Sequence, residues 1–207
     1  MLKDEIHKII RGTGRIAVKG LITNAKTYLR NAITTKQDVE NKKQTKRDEE
    51  KILKQFATEN NLWINSLGTR FEGGYEQDVY FTEETNYVIK ANTGVFYQTW
   101  TDYLNNLILH NLFFPTTNYE LIGFNNSDNE FKCVVKQSVV IADDIIDTIE
   151  LKQFLENIGF VNKKYNDYYY PELNIILEDL HDANVLIYKD VPYFIDTVFY
   201  LKDYNGN

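Results

Sequence analysis

The sequence contains one cysteine, three prolines and no long hydrophobic run. A single thiol, Cys133, cannot form an internal disulfide and cannot hold a metal ion alone, so we expect it to be an inert core residue. No apolar segment approaches the roughly 18 residues that a membrane span needs. The first residues include acids and lack the apolar stretch of a signal peptide. These absences predict a soluble, cytoplasmic protein without a membrane partner.

Apolar and aromatic residues, in contrast, are plentiful. The chain of 207 residues is 43% hydrophobic and carries 15 tyrosines and 12 phenylalanines, so it can bury a core, and wholesale disorder is excluded. Its length suits one ordinary domain of about 100–200 residues together with an extension.

The net charge of −7 conceals an asymmetry along the chain. Residues 1–54 carry 14 of the 23 Lys and Arg but only 7 of the 30 Asp and Glu, which leaves the remainder strongly acidic. A basic segment of this kind often has its own partner. Nucleic acid is one candidate, but the acidic remainder of the same chain is the one we favour, and a solvated helical face is the commoner explanation of such lysines.

The first sixty residues read as a basic helical arm. Within residues 16–33 the apolar positions recur at intervals of three and four, which predicts an amphipathic helix whose apolar face docks on the core or self-associates. The polar residues 36–51 predict a solvated helix or a linker. Thr45 and Asp48 resemble a capping box, which would begin a further helix that ends at Asn60-Asn61.

After residue 60 the periodicity changes and predicts a mixture of strands and helices. We expect helices near residues 97–113 and 144–158, the second ending at Gly159. The segments that favour strands are residues 75–81, 86–90, 119–124, 131–136, 175–177, 185–188 and 193–195. The predicted fold class is therefore α+β.

Three segments carry residues suited to phosphate chemistry. They are the turn Glu72-Gly73-Gly74-Tyr75 before a strand, Val88-Ile89-Lys90 on the next strand, and Asp179-Leu180-His181-Asp182-Ala183-Asn184, followed by Ile195-Asp196. A glycine turn lets backbone N–H groups approach phosphate oxygens, and a lysine neutralises them. An aspartate can take the proton of an acceptor hydroxyl, while amide and carboxylate oxygens suit Mg²⁺. A hairpin near residues 188–192 would bring Asp196 back beside Asn184.

These segments resemble the protein-kinase-like superfamily. More narrowly, together with Leu109-His110-Asn111-Leu112-Phe113-Phe114-Pro115 and Tyr119-Glu120-Leu121-Ile122-Gly123-Phe124, they are similar to the serine/threonine/tyrosine kinase domain found in polyvalent proteins of bacteriophages and conjugative elements. The resemblance implies an N-terminal lobe over residues 61–139 and a reduced C-terminal lobe with the catalytic loop over residues 140–207, preceded by the arm over residues 1–60. It places the protein in the cytoplasm of a bacterial or phage-infected cell.

The resemblance also implies a role for each matching residue. Lys90 would contact the phosphates of ATP, near Gly73 and Gly74, and Asp179 would be the catalytic base. Asn184 and Asp196 would hold Mg²⁺, and main-chain groups from Gln137 to Val139 would meet the adenine. The phosphate acceptor would be a protein hydroxyl or a small molecule.

Several departures from the family pattern favour an alternative, a catalytically weak or inactive pseudokinase that binds nucleotide or a protein partner. Only the middle glycine of the glycine-rich signature is present, at Gly74. The helix over residues 97–113 has no glutamate to pair with Lys90, and Asp102 is its one carboxylate. For His110 we expect a packing or hydrogen-bonding role, and His181 could touch phosphate or serve the loop structurally.

Overall fold

The computed structural model describes residues 4, 6, 8, 9, 20–34, 42–73, 76–82 and 86–202. The longer helices in these residues are α1 (Leu21–Thr34), α2 (Lys42–Glu59), α3 (Trp100–Phe113) and α4 (Thr148–Asn157). The strands are β1 (Thr69–Gly73), β2 (Gln77–Phe81), β3 (Tyr87–Asn92), β4 (Glu120–Asn125), β5 (Lys132–Ser138), β6 (Asp144–Ile145), β7 (Val161–Lys164), β8 (Asp167–Tyr170), β9 (Ile175–Glu178), β10 (Val185–Tyr188), β11 (Val191–Phe194) and β12 (Val198–Leu201). The predicted α+β class is confirmed.

The chain forms two compact units. The first contains Ile16–Leu107 and Tyr119–Val139, and the second contains Met1–Arg15, Ile108–Asn118 and Val140–Asn207. The first unit therefore combines residues 21–59, which the sequence assigned to the arm, with strands β1 to β5.

An antiparallel five-stranded sheet, in the order β1-β2-β3-β5-β4, forms the centre of the first unit. One face of β3 and β5 contributes Ile89, Ala91 and Val134 to a small apolar core. Ile64 and Leu67, from the segment before β1, pack against this core. The alternation of β3 therefore turns Lys90 to the other face.

The basic polar segment before residue 60 packs within this unit. Helix α2 begins at Lys42 in the described residues, so Thr45 lies inside the helix and the predicted capping box is wrong. The ammonium group of Lys46 donates to the carbonyl oxygens of Gly94 and Tyr97, at 2.9 Å for Tyr97. Glu49 is 2% exposed and accepts hydrogen bonds from the first turn of α3.

Helix α1 buries the apolar stripe, which is the apolar face that the sequence predicted within residues 16–33. Ile22, Ala25 and Leu29 are buried, and the Tyr28 ring lies 5.1 Å from the ring of Phe56 on α2. The Tyr28 hydroxyl donates to Glu59 at 2.7 Å. The stripe is thus covered by another helix of the same chain. Residues 16–19, at the start of the predicted amphipathic helix, lie outside the described residues.

The second unit has two small antiparallel sheets and helix α4. The sheets have the orders β12-β9-β8-β7 and β11-β10-β6. Their shared core includes Leu155 of α4, Leu177, Phe194 and Phe199, all completely or almost completely buried, and Ile6 joins it from the N-terminal segment.

Helix α4 begins later than the sequence predicted. Asp144 and Ile145 pair with β10, so they are unavailable to the helix. Asp147 then caps it, since its carboxylate accepts from the Ile149 N–H at 2.7 Å. The predicted end near Gly159 is confirmed: this residue has a φ of +99°, which glycine adopts freely.

No helix in the described part of the chain is both long and apolar enough to cross a bilayer.

Candidate active site

Lys90 lies in the middle of the five-stranded sheet. It is directly opposite Val79 of β2 on one side and Val135 of β5 on the other. Its side chain is buried, with 5% exposure, and its ammonium group lies 5.6 Å from the centre of the Tyr119 ring. Such a cation–π contact stabilises a charge that has lost part of its hydration. The sequence prediction of a strand lysine is confirmed, whereas its role stays a prediction.

The glycine turn connects β1 to β2. Gly73 is the last residue of β1 and pairs with Asp78, whereas Gly74 lies outside the described residues. The buried Asp78 carboxylate accepts from Lys132 Nζ at 2.9 Å and from Arg70. Burial opposes the charged form, but these hydrogen bonds outweigh it and hold the pKa of Asp78 below its usual value. An ion-pair network thus ties β1, β2 and β5 together beside the turn.

The predicted adenine-binding segment, residues 137–139, includes the last two residues of β5 and the residue after them. Gln137 is buried and lies opposite Val88 of β3. The Val139 N–H donates to the Asn86 carbonyl oxygen at 2.9 Å. An adenine that used this N–H would have to displace Asn86, so the Val139 carbonyl oxygen is the better candidate contact.

The Asp102 carboxylate of helix α3 caps the N-terminus of its own helix. Asp102 accepts from the Thr99 N–H at 3.1 Å and from the Thr99 hydroxyl at 2.7 Å, while the Asp102 N–H donates to that hydroxyl. This is a capping box, with Asp102 three residues after the cap. It explains why α3 begins at Trp100 rather than at residue 97, and it commits the carboxylate that the sequence offered to Lys90.

The segment that resembles the kinase catalytic loop follows β9, in the second unit. Asp179 has a left-handed backbone, with φ of +65°, and its side chain is 57% exposed. Non-glycine residues adopt this conformation uncommonly, and such residues cluster at functional sites. Buried Asn184 donates its amide N–H groups to the Asp179 carbonyl oxygen at 2.8 Å and to its carboxylate at 3.3 Å. The structure therefore brings these two predicted site residues together.

Two further ionisable groups surround Asp179. His181 Nε2 lies 3.6 Å from the Asp179 carboxylate and 3.1 Å from the Asn184 amide nitrogen. Glu178 directly precedes Asp179, and partial burial raises its pKa, as do the nearby carboxylates of Asp167 and Asp179. The loop thus concentrates negative charge beside Asp179.

A hairpin brings the chain back from Asn184 to Asp196. Strands β10 and β11 pair from Val185 opposite Phe194 to Tyr188 opposite Val191. The two turn residues, Lys189 and Asp190, both have positive φ, at 50° and 61°, as a tight two-residue hairpin turn requires. The Ile195 N–H then donates to the Asn184 carbonyl oxygen at 3.0 Å. The hairpin predicted from the sequence is confirmed, and Asp196 follows directly after this bond.

The local chemistry fits a hard cation. The three side-chain contacts of Asn184 all use its amide nitrogen, Nδ2. They hold the amide group in one orientation, and its oxygen, Oδ1, is the atom that would bind a cation. Asp196 adds a half-buried carboxylate. Mg²⁺ in proteins is commonly held by one or two such oxygen ligands together with substrate phosphates and water.

The candidate residues divide between the two units. Gly73, Lys90, Gln137 and Val139 belong to the first, while Asp179, Asn184 and Asp196 belong to the second. A buried acid that the sequence did not predict is Glu49, which lies in a run of polar residues typical of a solvated helix. Burial raises its pKa, although hydrogen bonds from Thr101 and Trp100 oppose that shift.

Comparison with known proteins adds an independent observation. No curated protein and no solved structure matches the chain. The family model described as the Serine/Threonine/Tyrosine Kinase found in polyvalent proteins matches residues 46–203, which is most of the chain. That range includes α3, the twelve strands of the described residues and every candidate site residue, so the chain belongs to this kinase family.

Proposed function

We propose that this chain transfers the terminal phosphoryl group of ATP, in the presence of Mg²⁺, to a hydroxyl group of a protein or small molecule. The observation that carries the proposal is the Asp179–Asn184 arrangement. Asp179 has an exposed carboxylate and a left-handed backbone conformation, and its carbonyl oxygen accepts a hydrogen bond from the buried Asn184 amide. The chain then continues from Asn184 through the hairpin that leads to Asp196. Phosphoryl transfer requires positioned charges more than covalent chemistry, and this loop supplies them.

Each residue has a distinct role in the proposed reaction. Asp179 orients the acceptor hydroxyl and accepts its proton. Asn184 Oδ1 and the Asp196 carboxylate hold Mg²⁺, which when bound neutralises charge on the nucleotide phosphates. Lys90 contributes a second positive charge toward the phosphates, and main-chain groups around Gln137 and Val139 meet the adenine. In the described residues after β6 the chain has one α-helix, α4, one short 3-10 helix at Asp182–Asn184, and otherwise short strands, which supports a reduced C-terminal lobe.

A non-catalytic nucleotide-binding or docking module is the second candidate. Two observations favour it: the Asp102 carboxylate is committed to its own helix cap, and the Val139 N–H is committed to Asn86. Calorimetric titration of ATP with and without Mg²⁺ separates the candidates. Magnesium-dependent binding with turnover supports the phosphotransferase, and metal-independent binding without turnover supports the module.

The catalytic role of Asp179 is tested by Asp179→Asn, because asparagine also tolerates the left-handed backbone. We expect ATP turnover to fall by about 100-fold or more while the ATP dissociation constant stays within about twofold. Asp190→Asn is the matched control, since Asp190 is exposed and has nearly the same backbone conformation, with φ of 61°. Equal turnover by Asp179→Asn and the parent would defeat the assignment. Asp179→Ala should abolish turnover too, but it also strains the backbone.

A further inference from the structure

His110 lies near the C-terminal end of α3 and is completely buried. Both of its ring nitrogens are bonded: Nδ1 lies 2.7 Å from the Thr197 hydroxyl oxygen, and Nε2 lies 2.9 Å from the Thr117 carbonyl oxygen. A carbonyl oxygen can only accept, so Nε2 carries the hydrogen. In the neutral ring Nδ1 then accepts, and the Thr197 hydroxyl donates to it.

Thr117 extends this network to the other side of Asp196. Its hydroxyl donates to the carbonyl oxygen of Phe194, the last residue of β11, at 2.5 Å. The Phe194 ring also stacks on Phe114 with ring centres 3.9 Å apart. Thr117, Phe194 and Thr197 are all at least 98% buried. The chain is thus held two residues before Asp196 and one residue after it.

We propose that His110 is a positioning residue that fixes the Asp196 carboxylate for Mg²⁺ through the Thr197 hydroxyl. The inference rests on the proposed function, because Asp196 holds Mg²⁺ only if that function is correct. His110 itself touches neither nucleotide nor metal. It fixes the position of the backbone next to Asp196, the proposed metal ligand. Residues that hydrogen-bond to the surroundings of a metal ligand commonly orient that ligand in this way.

The contact between His110 and Thr197 can be removed with little change of shape. Thr197→Val replaces the donated hydroxyl by a methyl group, whereas Thr197→Ser keeps the hydroxyl and loses the methyl group. If His110 acts through this hydroxyl, the valine variant should need about tenfold more Mg²⁺ for half-maximal strengthening of ATP binding, and the serine variant should stay within about twofold of the parent. ATP affinity in EDTA should be the same in all three proteins.

A merely structural role for the network would lower stability without moving the Mg²⁺ midpoint. Thr101→Val controls for this, because it removes another internal hydroxyl bond, 2.6 Å to Glu49, in the other unit. We expect it to lower the unfolding midpoint and leave the Mg²⁺ midpoint unchanged. His110→Asn, whose amide oxygen can replace Nδ1 as acceptor, should retain more Mg²⁺ dependence than His110→Phe wherever both variants fold.

The experiment is a calorimetric titration of ATP into the full chain at a series of Mg²⁺ concentrations, with Asp196→Asn as reference. A shifted midpoint in Asp196→Asn and Thr197→Val, but not in Thr197→Ser or Thr101→Val, supports the inference. A shift in Asp196→Asn with a parental midpoint in Thr197→Val overturns the inference and leaves the proposed function intact. An unchanged midpoint in Asp196→Asn overturns both.

Discussion

Glu49 and Thr101, which are 52 residues apart in the chain, are joined by two hydrogen bonds. The Glu49 carboxylate accepts from the Thr101 hydroxyl at 2.6 Å and from its main-chain N–H at 3.1 Å, and it also accepts from the Trp100 N–H at 2.6 Å. A side chain of α2 therefore caps the start of α3, where unpaired N–H groups and the helix dipole favour a negative charge.

Removal of this remote cap should destabilise the protein. Glu49→Ala leaves one buried donor and two partly buried donors without their acceptor, so we expect the free energy of unfolding in urea to fall by about 2–3 kcal/mol. The neighbouring Glu50→Ala is the control: Glu50 makes a partly exposed pair with Lys54 at 2.7 Å, whose loss should cost about 0.5 kcal/mol or less. Equal losses in the two variants would show that the cap contributes nothing of its own.

Lys26 should make stability depend on pH in the alkaline range. Burial on α1, together with the charge of Arg30, lowers the pKa of Lys26 to about 7 from 10.5, although Asp102 opposes the shift. Between these two values the unfolded chain binds the proton and the folded chain does not, so stability rises with pH across this window. Below about pH 7 both states bind the proton, and the destabilising effect of Lys26 is complete.

The variant Lys26→Met isolates that contribution. We expect its stability advantage over the parent to be larger at pH 6 than at pH 9.5 by roughly 3 kcal/mol, because a difference of one in pKa corresponds to about 1.4 kcal/mol. Lys51→Met, at a lysine whose side chain is 73% exposed, should show no such trend. Urea unfolding of the three proteins at pH 6, 8 and 9.5 provides the test, and a pH-independent difference between parent and Lys26→Met would contradict it.

The face of the sheet on which a lysine lies should decide its effect on nucleotide binding. Lys90→Met is expected to raise the dissociation constant of Mg·ATP about tenfold, because it removes a buried positive charge from the proposed phosphate site. Lys136→Met is the matched variant: Lys136 is opposite Ile89, so it lies on the other face, with its ammonium group 3.8 Å from the Tyr87 ring centre. Calorimetry that finds the same change for both lysines, or none for Lys90, would move the phosphate site elsewhere.

Cys133 should report the opening of the five-stranded sheet. It is completely buried on β5, and burial raises the pKa of its thiol. We expect a thiol reagent to label the native protein at least about 100-fold more slowly than the urea-unfolded chain, because reaction requires an exposed thiolate. Saturating ATP should slow native labelling further if nucleotide binds the folded state. Native labelling at the unfolded rate would be incompatible with this packing.

The parts of the site that the sequence predicted are local in the chain. Asn184 and Asp196 are joined by a hairpin whose two strands and two-residue turn lie within twelve residues, so alternation and turn residues were sufficient to place it. Lys90 was predictable for the same reason, since its strand is rich in β-branched and aromatic residues.

The features that the sequence did not predict depend on distant partners. Strand β1 reads Thr-Arg-Phe-Glu-Gly, with no apolar alternation, and it exists because β2 pairs with it. Glu49 sits in a run of charges that is typical of a solvated helix, and only its position against α3 gives it a buried role. The strand pairing of Asp144 with β10 likewise displaced the helix start to Thr148. Tertiary contacts of this kind override local propensity.

The left-handed backbone of Asp179 restricts how this family member can change over evolutionary time. Asparagine, aspartate and glycine adopt that conformation at low cost, while other residues must strain the loop. A single nucleotide change converts an aspartate codon to an asparagine or a glycine codon. If Asp179 is the catalytic base that we propose, loss of catalysis is accessible by one mutation that keeps the loop backbone, the bond from the Asn184 amide to its carbonyl oxygen and the hairpin beyond it. Active and inactive members of such a lineage would be expected to differ at this position before they differ in fold.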